Sequence, residues 1–463
     1  MISRRRFLRT TSAAALTALE LNAEAVAQLP GERPPPAPKG VEVLAPFGKR
    51  PVSLIIDDST CLVNLAHFAI PQFAEVFPDR YRQPWKTLPR EIPDAFVLKF
   101  MDWCQAHGVK GKYSIVPYPA CVGWIDGEMP GWSRDELRAS LGIVRERVAP
   151  NWDIHPEMVT HTWIINPKTG RPLGERSDKV MENWRWTDDK SADQIAEYMR
   201  YALTAQKNAG LAATGVTTPG GFGNKVLPQL SQATFQACRD VFKTEIPHYF
   251  RHLFTDHRSV KPRVEYAAGL SGPDPRCVVS IIGCTGDWFG GWDGLEAGSV
   301  DQFITADLKK GRMVEVLERP EPAIMVCHWP GIYFNGREHG FNVLKEIHKR
   351  LHAKYDDLVW MNLGEIARYW AAKELTTITL EQNGAVALKA PFACPNFTIK
   401  VAAPPPRAPV IQTRPENGVL PALQEVASRS ALKAGSVNRS GDNLTICFNL
   451  PKGASQIGFG ILR

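Results

Sequence analysis

A chain of 463 residues, 44% hydrophobic and 22% charged, is long and apolar enough to bury a full core, and its length predicts one large domain with an appendage or two to three domains. The net charge of +7 is spread along the chain without basic runs or an RNA-binding signature, which excludes nucleic acid as an expected partner. Nine cysteines, odd in number, widely spaced and without a C-x-x-C pair, exclude a disulfide framework and are expected to be buried small apolar residues.

At the N-terminus, Ser3-Arg4-Arg5-Arg6-Phe7-Leu8-Arg9 resembles the twin-arginine consensus, and the modestly apolar Thr10 to Leu21 and a small-x-small site, Ala25-Val26-Ala27, follow it. Residues 1–27 are therefore expected to be a signal peptide read by the twin-arginine export machinery, giving a periplasmic or secreted protein. Loss of the leader's four arginines and two glutamates takes the charge from +7 to +5. That pathway's cargo crosses folded, so a metal can be loaded before export. Glu20 interrupts the apolar stretch, and no later run reaches the roughly 18 residues of a spanning helix, so no stable membrane anchor is expected. Residues 28–40, with Pro34-Pro35-Pro36 and Pro38, read as an extended linker.

From 41 to 373, strand-like apolar runs alternate with amphipathic helical ones, which predicts an α/β domain with a mostly parallel sheet or barrel. Strands are expected at Val52–Asp57, Lys112–Val116, Glu157–Trp163, Ala213–Thr218, Cys277–Gly283, Ala323–His328 and Leu358–Asn362. Capping-box patterns at Ser133 to Glu136, Ser191 to Gln194 and Asn362 to Glu365 mark helix starts, and Gly108, Gly210 and Gly311 mark helix ends. Arg251 to Arg276, rich in Pro, Gly and charge, reads as a long loop near the active face. In 374–463 short alternating runs broken by Gly, Pro and Asn predict a small accessory β-sandwich, with Pro404-Pro405-Pro406 outside any central strand.

Reactive residue types collect at the expected strand ends. The buried run Ser53-Leu54-Ile55-Ile56 delivers Asp57 and Asp58, adjacent carboxylates whose repulsion is tolerated where a cation or a transferred proton separates their roles. His161 lies in His155-Pro156-Glu157-Met158-Val159-Thr160-His161-Thr162-Trp163; Thr217-Thr218-Pro219-Gly220-Gly221 and Gly286-Asp287-Trp288 follow later strands, and Cys327-His328-Trp329 ends the penultimate one. The plainer readings are strand-end caps for the aspartates and satisfied core positions for the histidines.

In motif order, roughly Val41 to Lys373 resembles the polysaccharide deacetylases, carbohydrate esterase family 4 with its chitooligosaccharide deacetylase homology domain. The resemblance implies a distorted (β/α) barrel and an exported metal-dependent hydrolase that removes an N- or O-acyl group from a carbohydrate. It implies Asp57 as catalytic base, Asp58 and His161 as metal ligands, Asp287 and His328 as the pair behind the general acid, and Trp288, Trp329, Pro219 and Gly220 at the substrate. The ion implied is divalent, with zinc the expected identity. Two positions depart from the family: its second histidine falls at Ile165, and the arginine of its Arg-x-Pro-x-Gly loop is Thr217 here. Asn166, His155 or a loop residue is left to complete the ligand set. A backbone N–H of the Pro117-Tyr118 turn, together with the ion, is a candidate oxyanion site, and Trp184, Trp186 and Trp292 are further candidate sugar platforms. His248 and His252, four apart, read as surface residues of a strand. These departures keep two other functions open: a carbohydrate-binding protein that has lost catalysis, and a metal-independent glycoside hydrolase using paired carboxylates.

Overall fold

A computed structural model describes residues 31–402, 404, 409–413 and 423–459; the signal-peptide expectation lies outside them. The central strand Arg50–Asp57 is buried on both faces from Pro51 onward, as a strand flanked by parallel neighbours and covered by helices must be. It pairs in parallel with Ala323–His328 and with Gly111–Ile115, the latter pairs with Trp152–Pro156, and Leu358–Trp360 adds to its beginning. A second sheet runs Gly215–Thr217, His248–Leu253, Arg276–Gly283 in parallel, with Arg263–Ala268 antiparallel at its edge.

The α/β alternation is therefore present, but the expected continuous barrel is replaced by two sheets. They meet at two narrow seams. One is a single bridge between Glu157 and Thr217; the other is the Cys284 N–H donating to the Ile324 carbonyl at 2.7 Å, beside the Val326 N–H donating to Thr285 Oγ1 at 3.0 Å. The Gly215–Thr217 strand spends its three residues on a parallel ladder with His248–Leu253 and meets the first sheet only through Thr217.

Other differences have local causes. Glu157–Trp163 is not a strand: Met158 and His161 adopt φ of 49° and 63°, left-handed conformations that break extended backbone, and the strand is the preceding Trp152–Pro156. The supposed loop after Arg251 contains the Arg263–Ala268 strand. Capping boxes form at Ser133, Ser191 and Asn362. Gly108 and Gly210 follow helix ends with positive φ, whereas Gly311 precedes the helix Arg312–Leu317.

Beyond the last α/β helix, Leu363–Leu375, the strands form two antiparallel sheets, one containing Cys394–Ala402, Asn443–Leu450 and Ser436–Ser440, the other Thr377–Leu380, Val386–Ala390, Gly453–Phe459 and Pro409–Thr413. Val41–Val43 also pairs with Cys394–Ala402. Val386, Leu388, Phe397, Ile399, Ile446 and Ile457 share one buried cluster with Ile366, Tyr369 and Trp370 of that helix, so burial of apolar surface ties these sheets to the α/β part. All nine cysteines are unpaired and eight are buried, so no disulfide contributes to this stability.

Candidate active site

The C-terminal ends of Arg50–Asp57 and Ala323–His328 lie side by side, with Asp57 in register with His328. A cavity of about 430 Å³ opens there, lined among others by Asp57, Asp58, Glu157, His161, Trp184, Pro219, Gly220, Arg251, Trp292 and His328.

Asp57 is met by Lys112, a fully buried residue whose Cα stands opposite Ile55 on the neighbouring strand. Because Ile55 and Asp57 share a face, the long lysine side chain reaches along the pleat to the carboxylate, to the Ile56 carbonyl at 3.1 Å and to Ser114 Oγ at 2.7 Å. Burial raises the Asp57 carboxyl to about 6, the Lys112 charge pulling it down and Glu157 pushing it up.

At Asp58 the chain turns with φ 59°. Its N–H donates to Glu157 Oε2 at 2.8 Å, its Oδ1 lies 2.7 Å from His161 Nε2, and Glu157 Oε1 lies 3.4 Å from the same nitrogen. One imidazole nitrogen and two carboxylate oxygens thus fall within 4.8 Å of one another. Asp58 Oδ1 is buried, and apart from its 2.7 Å contact with His161 Nε2 it has no polar partner among the described residues. Orphaned buried oxygen is costly, and a carboxylate-rich set with one imidazole suits a divalent ion. Burial alone would raise the Glu157 carboxyl, but its bond to His161, the charges of His161 and Lys112, and the Asp58 N–H hold it at about 2. It is therefore ionised and ready to act as a ligand.

Glu182 builds the loop that presents His161. Its carboxylate accepts from the backbone N–H groups of Val159, Thr160 and His161 at 3.1, 3.0 and 2.6 Å and from the Tyr198 hydroxyl. Burial raises this carboxyl to about 7 against those donors. Replacing Glu182 with glutamine turns one acceptor oxygen into a donor facing N–H groups. The expected result is a drop of about 10–100-fold in metal affinity and about 1–3 kcal/mol in stability, read by competition with a chelating dye and by urea unfolding.

Beside Asp57 on the neighbouring strand, His328 Nδ1 bonds Asp287 Oδ2 at 2.8 Å, which orients Nε2 away from that carboxylate. Burial disfavours the imidazolium, but Asp58, Asp287 and Asp57 raise its pKa to about 10. His328 also stands at the N-cap position of a short helix, Trp329–Tyr333.

The structure brings together Asp57, Asp58, His161 and His328, with Asp287 behind the last, and places Pro219 and Gly220 on the cavity wall. Gly220 has φ 43°, and a Cβ there would stand 2.5 Å from the Asn183 carbonyl, so only glycine lets this loop close on the Asn183-Trp184 segment. Trp329 and Trp288 are not brought there. Trp329 is fully buried against Phe96, Phe100 and Tyr113, and Trp288 packs on Phe303. Trp184 and Trp292 supply the flat faces instead, around Phe73 and Tyr81. Trp186 packs on Tyr198 and Phe222. The Tyr118 N–H is already given to the Val159 carbonyl at 2.8 Å and is no oxyanion donor.

Neither Asn166 nor His155 completes the Asp58 group. Asn166 sits in a small hairpin and accepts from the Lys168 N–H. His155 meets His248 at 3.0 Å between Nε2 atoms, with Asp153 3.7 Å from His248, in the interior beneath the site. His248 is thus buried rather than on the surface, and Gly215 makes room for the pair. The residues that sequence reasoning missed are Glu157 as a third ligand atom and Lys112 as the partner of Asp57. The only signal for the latter was a lysine in an otherwise buried strand.

No family model matches the sequence, and no curated protein matches it. Among solved structures the chain is similar to a protein assigned as a polysaccharide deacetylase from Mycobacterium smegmatis, with 14% identity, TM-score 0.41, and 77% of this chain and 99% of that one covered. It is also similar to one so assigned from Pseudomonas aeruginosa PAO1, with 12% identity, TM-score 0.33 and coverage of 59% and 71%. Puue allantoinase gives 10% identity, TM-score 0.34 and coverage of 70% and 90%. At such identities and TM-scores these likenesses assign no activity and place no residue.

Proposed function

We propose that this chain is an exported, metal-dependent hydrolase that removes an N- or O-acyl group from a carbohydrate. One observation carries the reading: residues far apart in sequence converge on one cavity as a three-atom ligand group, a buried carboxylate with its own cation, and a histidine with its own carboxylate. Asp58, Glu157 and His161 would hold a divalent ion, with zinc the expected one, and such an ion polarises an acyl carbonyl and lowers the pKa of water.

The remaining steps belong to the chain's own groups. Asp57, raised to about 6, is basic enough to accept the proton of an attacking water and still ionised at neutral pH. Lys112 keeps that carboxylate in place. His328 Nδ1 is tied to Asp287, which leaves Nε2 to protonate the departing nitrogen or oxygen. Trp184 and Trp292 offer aromatic faces for a sugar ring. The twin-arginine leader supports export to the periplasm or beyond, and 374–463 is proposed as an accessory β-sandwich. Among described residues no helix is long and apolar enough to cross a membrane.

The test is acyl release from a panel of N- and O-acetylated oligosaccharides, before and after dialysis against a chelator. Release that stops on chelation and returns with added zinc is expected; sugar release insensitive to the chelator contradicts the reading.

A further inference from the structure

The cavity contains a cation that acyl transfer does not use. Arg251, in the His248–Leu253 strand, lines the wall beside Thr218 and Asn224. Its Nε donates to Asn224 Oδ1 at 2.6 Å, which fixes the plane of the guanidinium. Its Nη1 reaches only the Thr218 carbonyl and hydroxyl, both at 3.5 Å, contacts too long to satisfy it. No described carboxylate forms an ion pair with Arg251. Asp57, whose charge acts on Arg251, is already paired with Lys112.

Its neighbours show what a satisfied cation looks like here. On the same wall Lys225 lies 2.9 Å and Arg185 3.3 Å from Asp188, and Arg185 is 3.6 Å from Asp178. Those charges are met within the protein. A half-buried guanidinium held by Asn224, with no carboxylate partner and only long contacts to Thr218 at its terminal nitrogen, is under-satisfied and preorganised for an anion. The exposed Arg80 adds positive charge at the mouth, over the Tyr81 ring.

We propose that the substrate of this cavity is an anionic carbohydrate whose carboxylate or sulfate group is gripped two-pronged by Arg251. Planar guanidinium matches either oxyanion, and the aromatic wall of Trp184 and Trp292 takes the ring that carries it. The inference rests on the hydrolase reading for the role of the cavity, but its test does not depend on turnover.

The full chain is titrated calorimetrically with N-acetylglucosamine, glucuronic acid and N-acetylglucosamine 6-sulfate, using wild type, Arg251→Gln and Arg251→Lys. At least one acidic ligand is expected to bind about 10-fold or more tighter than the neutral sugar, and the one favoured identifies the anion as carboxylate or sulfate. Arg251→Gln loses about 10–100-fold of that affinity, leaving the neutral sugar unchanged. Should the glutamine variant not fold, Arg251→Lys, which keeps the charge without the fork, must still lose part of the preference. Equal binding of neutral and acidic ligands overturns the inference, as does a preference indifferent to Arg251. If acyl release is absent while Arg251-dependent selectivity persists, the hydrolase reading fails alone; if chelator-sensitive release persists without that selectivity, this inference fails alone.

Discussion

Lys112→Met is expected to cost about 3–5 kcal/mol of folding stability, because it leaves the Asp57 carboxylate buried with no cation. Lys112 is fully buried and Asp57 nearly so, which removes the solvent screening that makes surface pairs weak. The catalytic effect has the same origin. With the ammonium present, burial already raises Asp57 to about 6; without it the carboxyl moves higher, is protonated at neutral pH, and the base is lost. Acyl release at pH 7 should fall by about 10²-fold or more. The double variant Lys112→Met with Asp57→Asn, which removes both charges, should recover much of the stability and none of the rate. Urea unfolding and initial rates read both, and a single variant as stable as the wild type would show that the pair is not what holds this strand end.

His328→Gln is expected to reduce acyl release by about 10²–10⁴-fold while leaving metal content unchanged, since the side chain is proposed as the acid and is not among the three groups proposed to hold the ion. Its pKa is raised from 6.5 to about 10, burial opposing and Asp58, Asp287 and Asp57 overcoming it. A raised folded-state pKa means that the interactions of the imidazolium with Asp58, Asp287 and Asp57 stabilise the protein fully below pH 6.5 and fade as pH rises through about 10. Activity should fall on the alkaline side, where the acid loses its proton. In the glutamine variant the residual rate should lose that limb, and a wild-type alkaline limb that survives the substitution would assign it to another group.

How much of this was legible in the sequence depends on what each residue's neighbours could reveal. Apart from Ser53, Pro51–Ile56 and Ala323–Cys327 are apolar runs that each end on an ionisable residue, a pattern that fits a buried parallel strand, and both strands lie where composition puts them. The Glu157 segment misled because Val159, Thr160, Thr162 and Trp163 have β-forming side chains, while its conformation is set by Glu182, whose carboxylate gathers three backbone N–H groups. That contact spans about twenty residues and has no local signature. The same bend leaves the Glu157 carboxylate beside Asp58 and His161, where Ile165 could offer no ligand atom. Trp329 follows His328 directly, yet as the first residue of a short helix it points into the core. Whether the parallel strands close into one barrel or divide into two sheets is likewise invisible in an alternating pattern, because it depends on the short Gly215–Thr217 strand and its seam.

The central claim is that Asp58, Glu157 and His161 hold one ion between them. Elemental analysis of protein purified without added metal tests it directly, with wild type compared against Asp58→Asn, Glu157→Gln and His161→Gln, each verified as folded. Each substitution should lower the bound metal by one equivalent per chain; three variants that retain the wild-type content would contradict the account.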